Sequence, residues 1–159
     1  MKRTPLDTLI ELARETRNRA GQLLAGEQHN QQQLAEQLTL LRRYRGEYAG
    51  RLQETMEQGI DLASLQDYQR FLQSLDTAIA RAQDRVLTQE GKVMQCRERW
   101  QKAQYRLCSF DTLAVRGQDR ERQHAQRKER REHDEISNNL YRRERQNLYS
   151  RDSGPQEAL

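Results

Sequence analysis

The chain has 159 residues, of which 34% are hydrophobic and 6% aromatic, with 33% charged and a formal net charge of +4. So small a supply of apolar side chains excludes a thick, several-layered core and requires that they be used periodically. No run approaches the ~20 consecutive apolar residues a membrane span needs, and MKRTPLDTLIELARE carries charges where a signal peptide has its apolar centre, so a cytoplasmic chain is expected.

Both prolines, Pro5 and Pro155, stand at the edges, and the stretch between them is rich in Gln, Glu, Arg, Leu and Ala. These are strong helix formers with no interior helix breaker, which predicts long helices.

From the N-terminus, steps of three and four connect Leu6, Ile10, Ala13, Arg17, Ala20, Leu24, Glu27, Gln31, Leu34, Leu38, Leu41, Arg45, Tyr48 and Leu52. With Leu6 at d and Ile10 at a, this is one unbroken heptad register with polar interruptions at Arg17, Glu27, Gln31 and Arg45. A second array runs from Leu65 at a and Tyr68 at d through Leu72, Leu75, Ile79, Ala82, Val86, Gln89, Val93, Cys96, Trp100, Ala103, Leu107 and Phe110 to Ala114. There Gln89 is the one polar seam residue.

Residues 58–64, QGIDLAS, separate the arrays. Gly59 suits a helix C-terminus, Asp61 or Ser64 can cap the next helix, and Ser64 with Asp67 approximates a capping box. A link this short implies an antiparallel hairpin.

In such a pair each a residue faces a d residue, and pairs whose positions sum to 120 satisfy this across the loop. Leu52 then meets Tyr68, Tyr48 meets Leu72, Gln31 meets Gln89, and small Ala20 meets large Trp100. Leu6 reaches only as far as Ala114, so the chain after Ala114 has no partner in the first helix.

The expected architecture is therefore all-α: a long antiparallel two-helix coiled-coil hairpin over residues 1–117, a protruding, charged, partly frayed helix over 118–151, and a disordered tail over 152–159.

Cys96 and Cys108 are twelve positions apart, roughly 18 Å along one helix, which is beyond disulfide reach. His29, His124 and His133 are scattered, so neither a metal site nor a cofactor is expected. With no glycine-rich phosphate loop, nucleophile elbow or convergent acid–base set, no catalytic residue and no enzyme activity are expected. The arginines of the C-terminal region suggest nucleic acid as a partner, but they alternate with Glu121, Glu129, Glu132, Asp134, Glu135 and Glu144. That pattern fits a solvated helix with local ion pairs better than a phosphate-facing field.

Tyr44 and Phe71 stand out because both fall at g, where coiled coils usually place Glu or Lys. In an antiparallel hairpin the g edges share one side, so Gln37, Leu41, Tyr44 and Tyr48 join Phe71, Leu75, Ala78 and Ala82 in one band near the turn. Either Tyr44 and Phe71 pack on each other across the seam, or the band is a partly exposed docking surface.

The sequence YRGEY, the hydrophilic turn ending in GI, and YQRFLQSLDTAIARAQ together resemble the FliJ family, coiled-coil proteins of the bacterial flagellar type III export apparatus. The resemblance covers roughly residues 6–114, and the equivalent stalk of a virulence secretion system would look similar. It implies a non-enzymatic stalk similar to the central shaft of rotary ATP synthases. Such a stalk inserts into a hexameric export ATPase, contacts the cytoplasmic domain of the export-gate membrane protein, and associates with export chaperones at the inner membrane of the flagellar base. In the family the surface near the turn binds the gate, and it matches Gln37, Leu41, Tyr44, Tyr48, Phe71, Leu75 and Ala78, with Ala82 ending the row. The opposite end, with Leu6, Leu9, Ile10 and Phe110, is the candidate ATPase side.

Overall fold

A computed structural model describes residues 3–152, all but Asp152 with their side chains. It contains two helices, α1 (Pro5–Gln58, 54 residues) and α2 (Leu62–Asp152, 91 residues).

The start of α1 is fixed by a reciprocal cap. Thr4 Oγ1 accepts from the Asp7 amide at 3.2 Å, the Asp7 carboxylate accepts from the Thr4 amide at 2.9 Å, and Pro5 occupies the first turn. These bonds satisfy amides that a helix N-terminus leaves free, and they hold the Asp7 carboxyl below the usual carboxylate range. At the other end Gly59 adopts φ 93°, a conformation glycine tolerates without a Cβ clash, and its amide donates to the Met56 carbonyl at 3.3 Å.

Three residues, Gly59–Asp61, make the turn, shorter than the seven expected. Ser64 is already inside α2, so the expected Ser64–Asp67 box does not cap it. Asp61 does: its carbonyl accepts from the Leu65 amide at 3.1 Å, and its carboxyl bonds the Ser64 hydroxyl and amide, which lowers its pKa.

The chain divides into two units, Met1–Phe110 and Asp111–Leu159. In the first, α1 and the N-terminal part of α2 form the expected helical hairpin. Its a and d positions from Leu6 to Leu52 and from Leu65 to Phe110 are buried or half-buried, with Arg45 the exception. Ala13, Leu38, Val93, Ala103 and Leu107 are the buried apolar residues, and no described side chain is completely enclosed. Two helices can cover each other on one side only, so each seam residue keeps a solvent-facing flank.

Two seam pairings differ in detail from expectation. Gln89, 5% exposed, does not meet Gln31. Its Nε2 donates to the Glu27 main-chain carbonyl at 2.9 Å and to the Glu27 carboxylate. The charged acceptor one turn earlier outcompetes a neutral amide. Trp100 extends over Gly21, the e neighbour of Ala20, and its indole Nε1 lies 3.3 Å from where a Cβ would sit at that glycine. A large a residue spreads past its small d partner onto the residue that offers most room.

The second unit is helical through Asp152, including the stretch over 118–151 expected to fray in part, and every described side chain from Val115 to Arg151 is exposed. Lys128 and Glu132 pair at 3.9 Å across one turn. The expected disordered tail lies, beyond Asp152, outside the described residues.

A candidate docking edge at the turn end of the hairpin

The two long edges of the hairpin differ in chemistry. Along the e edge, polar side chains bridge the helices. Arg45 Nε donates to Asp76 Oδ1 at 2.8 Å, and Arg17 Nη1 donates to Gln104 Oε1 at 3.4 Å. Arg45 occupies an a position, but its long stem lets the guanidinium leave the seam and meet the carboxylate at e. That partner raises the already high pKa of Arg45.

Along the g edge near the turn, no such bridge closes the surface among the described residues, and a groove opens there instead. Tyr44, Glu47, Tyr48, Arg51, Phe71 and Leu75 line it. The periodicity explains the assembly, because Tyr44, Arg51 and Phe71 lie at g, Tyr48 and Leu75 at d, and Glu47 at c. Tyr48 forms the floor: its ring centroid is 4.3 Å from that of Phe71 and 5.1 Å from that of Tyr68, tilted in both cases. Phe71 thus packs on Tyr48 rather than standing face to face with Tyr44. Tyr44 remains 51% and Phe71 45% exposed, so the rings are anchored at one face and open at the other.

Of the band near the turn, the groove gathers Tyr44, Tyr48, Phe71 and Leu75. Leu41, Ala78 and Ala82 are half-buried farther along the hairpin, and Gln37 is exposed. Glu47 and Arg51 are rim residues that sequence reading missed, although their c and g positions place them on this edge. They give an apolar floor a carboxylate and a guanidinium at its lip.

At the open end of the hairpin a second groove lies on the same edge, lined by Leu9, Leu12, Ala13, Thr16, Ala103, Arg106 and Phe110. Leu9 and Phe110 therefore come together, with the Arg106 guanidinium 5.7 Å from the Phe110 ring centre. Leu6 and Ile10 are half-buried seam residues outside that lining.

Among the described residues, no group of His, Cys, Asp and Glu gathers as metal ligands would, and no helix is long and apolar enough to cross a membrane. Cys96 and Cys108 form no disulfide.

Residues 1–146 match the family model described as "Flagellar FliJ protein". The chain belongs to the FliJ family. Two of its relatives, the flagellar FliJ proteins of Salmonella typhi and of Escherichia coli K12, are each 32% identical over 111 residues, spanning 70% of this chain and 76% of the relative. The FliJ match extends past the hairpin into the charged part of α2, beyond residues 6–114, whose motifs carry the resemblance.

Proposed function

We propose that this chain is a non-enzymatic coiled-coil stalk of the flagellar type III export apparatus. It couples a hexameric export ATPase to the cytoplasmic domain of the export-gate membrane protein and associates with export chaperones. It works in the cytoplasm, peripherally at the inner membrane of the flagellar base. The family match favours this flagellar setting over the equivalent stalk of a virulence system.

The observation that carries the reading is the aromatic groove beside the turn. A rigid hairpin that transmits force needs a distinct grip at each end, and exposed rings with a fixed floor make a low-entropy anchor. Gln37, Leu41, Tyr44, Tyr48, Phe71, Leu75, Ala78 and Ala82 form the gate-facing band in this proposal, with Tyr44 and Phe71 as its protruding members. Leu9 and Phe110, brought together at the open end beside seam residues Leu6 and Ile10, form the grip for the ATPase.

Calorimetric titration with the soluble domain of the export gate tests the tip. Tyr44→Ala should lower affinity by about tenfold or more, since truncating an interface aromatic costs ~1–2 kcal/mol or more, while its thermal melt stays near the parent. Leu72→Ala should instead cost about 2 kcal/mol of stability through lost seam packing and so lower the melting temperature. Unchanged affinity in a folded Tyr44→Ala/Phe71→Ala variant would move the docking face elsewhere.

A further inference from the structure

Between its two grooves the g edge carries only cations among the charged residues at its c and g positions. On α2 its g positions are Arg85, Lys92 and Arg99, seven residues or about 10.5 Å apart along the helix. At the c and g positions from residue 9 to 44 of α1 and from 81 to 109 of α2 there is no Asp or Glu. The carboxylates of this part of α2, Asp84, Glu90 and Glu98, fall at e and f, a quarter turn or more round the helix. Glu27, a half-buried seam carboxylate that lines the surface beside Leu23 together with Arg19, accepts a hydrogen bond from Gln89. Arg85, Lys92 and Arg99 are exposed and form no ion pair among the described residues.

The facing bank on α1 supplies the complementary chemistry. Between the grooves Leu23 at g and Leu40 at c are 59% and 43% exposed, and Leu12, 54% exposed, continues the bank into the open-end groove. One bank of the edge is thus basic, and the other sets exposed leucines among Gly26, Asn30, Gln33 and Gln37, with Arg19 as one further cation.

We infer that this edge is a docking groove for an acidic amphipathic helix, which lies along the hairpin as a third coiled-coil strand. Its apolar stripe covers the leucine bank, and carboxylates recurring every seven residues meet the cations. A nucleic-acid backbone would use the cations alone; an anionic bilayer could take up cations and leucines together, but only a helix also matches cations recurring every seven residues along one edge of the hairpin. The inference concerns the shaft between the grooves and does not depend on the gate-binding role of the tip.

The probe is a fluorescein-labelled four-heptad peptide with Leu at a and d and Glu at e and g, whose like charges oppose self-association, compared with its Lys counterpart. Anisotropy titration of the full chain at physiological ionic strength should show binding of the Glu peptide and not of the Lys peptide. Arg85→Glu/Lys92→Glu/Arg99→Glu should weaken the Glu peptide at least tenfold and admit the Lys peptide. Leu23→Ser, at an exposed site, should weaken the Glu peptide several-fold with an unchanged melt. Should the triple reversal melt early, the neutral Arg85→Gln/Lys92→Gln/Arg99→Gln gives the same comparison, with at least a tenfold loss expected. The inference is overturned if the two peptides bind alike, if Leu23→Ser binds like the parent, or if duplex DNA or phosphatidylglycerol vesicles of equal charge bind as tightly as the Glu peptide.

Discussion

The indole of Trp100 lies over Gly21, close enough that its Nε1 and Cδ1 would stand 3.3 and 3.4 Å from a Cβ there. Gly21 is a mid-helix residue with negative φ, so it is kept for the space it leaves rather than for its backbone freedom. Gly21→Leu should destabilise the hairpin by about 1–3 kcal/mol through overpacking. Gly21→Ala, which gains about 1 kcal/mol of helix propensity against a contact a few tenths of an ångström too tight, should be close to neutral. Thermal melts give the energies, and a shift in Trp100 fluorescence reports the displaced ring.

Gly46 and Gly50 have open space where a Cβ would go. No side chain needs the space they leave, so each carries the cost of glycine in an exposed helix interior without a packing reason. Gly46→Ala and Gly50→Ala should each raise stability by about 1 kcal/mol, measured by denaturant unfolding. If either variant also loses affinity for the export-gate domain, local helix softness near the turn has a role in docking.

The Gln89–Glu27 contact is a buried polar link in an otherwise apolar stretch of the α2 seam. Gln89→Leu alone should destabilise, because it leaves the Glu27 carboxylate half-buried without its donor. Gln89→Leu/Glu27→Leu should restore or raise the melting temperature while relaxing alignment. The alignment is read by oxidative cross-linking of cysteines at Ala20 and Trp100 against a heptad-shifted pair at Ala13 and Trp100, in a variant freed of Cys96 and Cys108.

Asp7 and Asp61 hold their helix starts as carboxylates, and both carboxyls are lowered by the hydrogen bonds they accept from Thr4 and from Ser64. A carboxyl with a depressed folded pKa contributes stability that is present above its unfolded pKa and is lost as pH falls through the folded one. Helicity should therefore begin to fall below about pH 4 and continue falling under more acid conditions. Asp61→Asn, which can still cap but cannot ionise, should flatten the turn's share of that pH dependence in far-UV circular dichroism melts.

Most of the seam was legible in the sequence because burial in a two-helix coil follows a single period. The exception, Arg45, escapes because its stem is long enough to carry the charge out to Asp76. The aromatic groove was partly legible: g positions identified Tyr44 and Phe71, but periodicity does not say that Phe71 turns onto Tyr48. The cap of α1 was written as Thr4-Pro5-Leu6-Asp7, a capping-box spacing that is easily overlooked beside the proline. The cap of α2 was ambiguous because Asp61, Ser64 and Asp67 recur at the same interval, and choosing among them depends on how tightly Gly59 reverses the chain. Gln89 was misassigned because facing positions name the closest pair of backbones, while a flexible amide selects the best acceptor within a turn.

No described side chain in the hairpin is completely enclosed. Each layer of the seam leans only on the layers before and after it, so the molecule behaves as a zipper rather than as a globule with a centre. Opening one end need not disturb the other, and the cost of opening accumulates layer by layer. The turn end is tied covalently, and the distant end of the hairpin is where the zipper can start. Amide exchange should accordingly be fastest in the first turns of α1 at the Thr4 end and slow from the buried layer of Ala13, Ala103 and Leu107 through Val93 to Leu38, so that a pull applied at the tip crosses closed layers before it reaches the turns that open.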